Sequence, residues 1–91
     1  MNLTESQVNT AIKALKLKDV SAKLVMEAAT LMTAKLTKGE SYKLMAIGRA
    51  ISHPQLVMPY CTPDLRSVVG VLSHLKFIKI VEVGETTMYK I

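Results

Sequence analysis

From residue 62 to residue 91 the chain reads TPDLRSVVGVLSHLKFIKIVEVGETTMYKI, and the spacing of its apolar residues changes midway. Leu65, Val68, Val69, Leu72 and Leu75 recur at helical spacing and form one apolar stripe. From Phe77 the period falls to about two, the alternation of a strand with one face turned inward. Phe77–Val83 and Thr87–Ile91 read as two strands joined by a turn through Gly84, Glu85 and Thr86. A lone hairpin is marginal in water, so this one must pack on helices. The expectation is an α+β fold, mainly α, with a C-terminal β-hairpin at about 77–91.

Start and stop signals place four helices, at about 4–17, 20–37, 41–52 and 62–76. Thr4 and Gln7 have capping-box spacing, and Val8, Ala11, Ile12 and Leu15 then form a narrow stripe. Asp19 or Ser21 opens the second helix, whose broad apolar arc (Leu24, Val25, Ala28, Leu31, Met32, Leu36) suits a central position, with Gly39 as its stop. The third begins near Ser41 and ends at His53-Pro54. Gly48 inside it costs up to about 1 kcal/mol relative to Ala, which predicts close packing against a neighbouring helix. Pro54, Pro59 and Pro63 mark a connection between helices. In the fourth, Thr62 is placed to cap, Pro63 suits the first turn and Asp64 complements the helix dipole.

Ninety-one residues make one domain, 1–91, with residues 1–19 as an added N-terminal helix. Twelve Lys and Arg against seven Asp and Glu give +5, which favours polyanions modestly. Cys61 stands alone, which excludes an internal disulfide and fits a reducing compartment. No apolar run approaches the ~20 residues of a membrane span. MNLTESQ lacks the charge and apolar stretch of a secretion signal. A soluble, cytoplasmic protein is expected. One Cys and two His make no zinc set, and no phosphate loop, dinucleotide fingerprint or Ser-His-Asp constellation can be assembled. Neither catalysis nor a cofactor or metal is expected.

A helix with an L-x-x-L ending (Val69 to Leu75), a Lys-containing corner (Lys76-Phe77-Ile78), a strand, a turn and a Tyr-containing final strand together resemble a winged helix-turn-helix domain. The resemblance covers about residues 20–91 and is to small bacterial or phage-type transcriptional regulators, with Phe77 standing where glycine is usual. It implies a recognition helix at 62–76 that enters the major groove of double-stranded DNA, and a wing at 77–91. The expected function is sequence-specific DNA binding in transcriptional regulation, as a homodimer. A chain of this size suits an accessory regulator of a mobile element.

Arg66 has the forked donor that base reading needs and lies in the first helical turn. Ser67 and Ser73 offer hydroxyls, Gly70 permits close backbone approach, and His74 suits phosphate. Tyr60 and Thr62 precede or open the helix, whose N-terminus favours an anion. Lys76, Lys79, Thr86 and Thr87 complete the candidate DNA contacts. Val8, Ala11, Ile12 and Leu15 are the candidate dimer contacts, or else brace the core. Glu82 and Glu85 at the wing tip would be repelled by phosphate, and they favour the rival reading: a protein–protein interaction module that grips a polymerase or other host machinery.

Overall fold

The computed structural model describes residues 3–91. Four helices, α1 (Glu5–Ala14), α2 (Ala22–Lys35), α3 (Leu44–Ile51) and α4 (Thr62–His74), surround one apolar core. Three short strands, β1 (Ser41–Tyr42), β2 (Lys79–Val83) and β3 (Thr86–Lys90), form an antiparallel sheet in the order β1-β3-β2. The fold is α+β and mainly helical.

The capping box forms as the sequence predicts: the Gln7 N–H donates to Thr4 Oγ1 (3.2 Å) and the Thr4 N–H to Gln7 Oε1 (3.1 Å). Ser21 caps α2 through its hydroxyl oxygen, which accepts from the Leu24 N–H at 3.1 Å. Both α1 and α4 end in the same device. Lys16 (φ +55°) and Lys76 (φ +63°) turn left-handed, and the next N–H reaches back five residues, Leu17 to Ile12 O and Phe77 to Leu72 O. The corner after α4 is therefore a Schellman cap, which swings the chain from helix into sheet.

The third helix does not begin near Ser41. Ser41 and Tyr42 are instead extended and pair with Lys90 and Tyr89, so the hairpin gains a third strand and is tied to the helices. Gly39 does not stop α2, which closes at Leu36. Gly39 lies in the following turn with φ +91°, and its N–H donates to Ile91 O. The hairpin turn is one residue shorter than predicted. Val83 pairs with Thr86, leaving only Gly84 and Glu85 between strands, with the positive φ at Gly84 that suits a type II′ turn.

Gly48 is where close packing was expected. A Cβ there would overlap Met58 Cγ and lie 3.0 Å from Leu65 Cδ2, so α3 meets both the connecting segment and α4. That segment, residues 52–61, is pinned by buried Leu56 and by His53. His53 Nδ1 accepts the Gln55 N–H (3.1 Å), so the ring hydrogen sits on Nε2 and donates to Glu27 Oε1 at 3.0 Å. His53 thus joins the connection to α2.

Val8, Ala11 and Ile12 are buried in the core of the protomer, and only Leu15 of that stripe stands at the surface, 38% exposed. The stripe braces α1 against α2 and α4, so those three residues are not available to a partner copy.

Candidate nucleic-acid interface

The apolar stripe of α4 buries Leu65, Val68, Val69 and Leu72, and Val71, outside the predicted stripe, is buried with them. Beyond Thr62, Pro63 and Asp64 of the first turn, the remaining positions form one outward stripe at helical spacing: Arg66, Ser67, Gly70, Ser73 and His74. Arg66 and His74 are exposed, while the three small residues between them are half-buried. At 1.5 Å per residue the stripe spans about 12 Å, comparable with the width of the major groove. A Cβ on Gly70 would meet nothing within 4 Å, so no neighbour in the fold requires glycine there.

Among the described residues no Lys or Arg lies in a salt bridge, which leaves Arg66, Lys76 and Lys79 without a carboxylate partner. Lys76 and Lys79 are exposed and follow directly from the C-terminal end of α4. Tyr60 is 87% exposed, two residues before the helix.

Other candidates are already engaged. Thr62 occupies the first helical position, not the cap, which falls to Cys61 with no side-chain bond. The Thr62 hydroxyl donates to Pro59 O at 2.6 Å and is not free to donate to phosphate. The N-terminus of α4 is also a poor anion site: the Thr62 N–H bonds Pro59 O, Pro63 has none, and the Leu65 N–H bonds Cys61 O. Only the Asp64 N–H is left of these, beside its own carboxylate. In the hairpin, the Thr87 hydroxyl donates to the Glu82 carboxylate (3.2 and 3.3 Å), which leaves Thr86 as the free threonine.

Lys90 was missed by sequence reasoning, though it lies directly across from Lys79. A turn read as Gly84–Thr86 sets Lys79 against Ile91; the true two-residue turn shifts the register by one and opposes the lysines. Counting back from Gly84-Glu85 as the loop was the signal that would have found the pair.

No family model matches the chain, and comparison with curated proteins and with solved structures finds no match. The interface therefore stands on its own chemistry. No helix among the described residues is long and apolar enough to cross a membrane.

Proposed function

We propose that the chain is a winged-helix protein that binds double-stranded DNA through the outer face of α4, acting in the cytoplasm in transcriptional regulation as a homodimer. The hairpin that follows α4 directly, tied back through β1, supports the winged-helix reading. The connection between α3 and α4 is a departure, because it runs through residues 52–61 where a helix-turn-helix uses about 3–4. One observation carries the DNA reading: the outward stripe of α4 has an exposed, unpaired Arg66 at its start, small half-buried residues along it and unpaired Lys76 and Lys79 beyond its end. Phosphate contacts by the lysines would set the register, and Arg66 would read base edges.

The test is salt-dependent binding to mixed duplex DNA. Arg66→Ala is expected to weaken binding about tenfold at matched salt, as the loss of one base-reading fork does. Absence of measurable affinity at low salt, or an unchanged affinity in Arg66→Ala, overturns the reading. Gly70→Ala separates stability from function. With open space at the site, alanine should stabilise α4 by up to about 1 kcal/mol. If α4 lies against a DNA strand, the same change weakens duplex binding. Thermal unfolding and duplex titration of one variant measure both.

The acidic wing tip favours a second reading. Glu85 sits in the turn and Glu82 near the end of β2, and Val83 between them is 59% exposed, an apolar end to a wing that phosphate would not attract. These features suit a protein–protein interaction module.

A further inference from the structure

The sheet has one face toward the helices and one away, and its register sorts the side chains between them. Successive strand residues alternate faces, and directly paired residues share one. The rows Tyr42–Tyr89–Ile80 and Thr87–Glu82 therefore share one side; Ser41–Lys90–Lys79, Val81–Met88 and Val83–Thr86 share the other. Buried Tyr89 identifies the first side as the inner one.

The outer side is chemically lopsided. Lys79 and Lys90 oppose each other at one end, both exposed and neither with a carboxylate partner. Like charges directly opposed across strands destabilise a sheet, and an anionic group placed between them relieves that. The next rows are apolar. Val81 and Met88 are half-buried yet take no part in the core, and Val83 is exposed. No carboxylate shares this face: Glu82 lies on the inner side, bonded to Thr87, and Glu85 sits in the turn. An apolar sheet face is stabilised when another layer covers it.

We propose that this outer face docks an amphipathic helix from an acidic partner protein. The helix sets its apolar ridge on Val81, Met88 and Val83 and its carboxylates against Lys79 and Lys90. A second copy of the chain fits less well: it carries a net charge of +5, and its own copy of this face holds no carboxylate to offer the lysines. Nucleic acid fits less well. Phosphates would satisfy the lysines but leave the apolar rows uncovered, and base stacking needs aromatic side chains, of which these rows hold none. The inference gives the interaction-module reading its surface and partner chemistry, and it stands whether or not α4 meets DNA.

The probe is a helical peptide with leucines at i, i+4 and i+7 flanked by glutamates, titrated against the full chain by calorimetry, with a lysine-flanked version as its counterpart. The glutamate peptide should bind with a Kd below about 100 μM and the lysine peptide should not. Lys79→Gln with Lys90→Gln should weaken binding about tenfold, as loss of close charge pairs does. Val81→Ser should weaken it as well. Lys13→Gln with Lys16→Gln, an equal charge change on or beside α1, should leave it unaltered. Failure to bind at about 1 mM overturns the proposal. So does an equal loss in the α1 pair, displacement of the peptide by vesicles of anionic lipid, or displacement by duplex DNA that is as strong in Arg66→Ala as in the unaltered chain. A separate duplex titration of Arg66→Ala, which alters α4 and leaves the sheet intact, reports on α4, so failure of one reading is not mistaken for failure of the other.

Discussion

Leu72→Ala is expected to lower the stability of the domain by about 2–5 kcal/mol, the largest effect of any single change considered. Leu72 is fully buried on α4, the helix that packs against α1, α2 and α3 together. Truncation removes the transfer energy of its side chain and leaves a cavity lined from several elements, which cannot all close in at once. The main chain adds weight to the position, because Leu72 O accepts the Phe77 N–H and so holds the corner into β2. A domain of this size has only about 5–15 kcal/mol of total stability, so the variant is expected to be partly unfolded at modest urea. Urea unfolding checks this through a lower midpoint at constant slope. Leu15→Ala, at a surface site, is the comparison and should cost far less. A loss under about 1 kcal/mol in Leu72→Ala would mean that α4 is not the centre of the core.

Gly48→Ala sets two effects against each other. Helix propensity favours alanine by up to about 1 kcal/mol, since Gly48 lies inside α3. Overpacking opposes it, at about 1–3 kcal/mol, because the new Cβ would overlap Met58 Cγ and lie 3.0 Å from Leu65 Cδ2. Met58 is half-buried and flexible and can yield; Leu65 is fully buried and cannot. The net expectation is destabilisation of about 1–2 kcal/mol, again read from urea midpoints. Combining it with Met58→Ala removes the atom that collides. The double variant should therefore be more stable than the sum of the two single changes predicts. A stabilised Gly48→Ala would show that α3 and the connection are not in close contact.

The two glycines inside helices show how far local reasoning reaches. Gly48 and Gly70 look alike in sequence, each interrupting a helical pattern. One is pressed against Met58 and Leu65, and the other faces open space. Close packing was legible at Gly48 because a glycine inside a helix costs up to about 1 kcal/mol relative to Ala, which a close neighbour explains. At Gly70 the absence of any neighbour directs attention to what lies outside the protein. The candidate site divides in the same way. Arg66, Ser67, Gly70, Ser73 and His74 were legible as one face, since helical periodicity alone sets which residues align. The hydroxyls of Thr62 and Thr87 were not, because their partners Pro59 O and Glu82 are decided by how the chain turns.

The sequence by itself determined the elements whose cause is local: the Thr4–Gln7 capping box, the Ser21 cap, the stripe of α4 and the change to a strand period after it. Short-range spacing and backbone bonding suffice for these, because every partner lies within a turn or two. The tertiary structure alone decided what depends on distant partners. Ser41 and Tyr42 became a strand because Lys90 and Tyr89 offered them main-chain bonds, a long-range pairing that no local propensity announces. The stripe of α1 turned inward because α2 and α4 were there to bury it. Lys79 and Lys90 lie between these cases: a local two-residue turn opposes them, but a slip of one residue changes every opposed pair, so only the observed register fixed theirs.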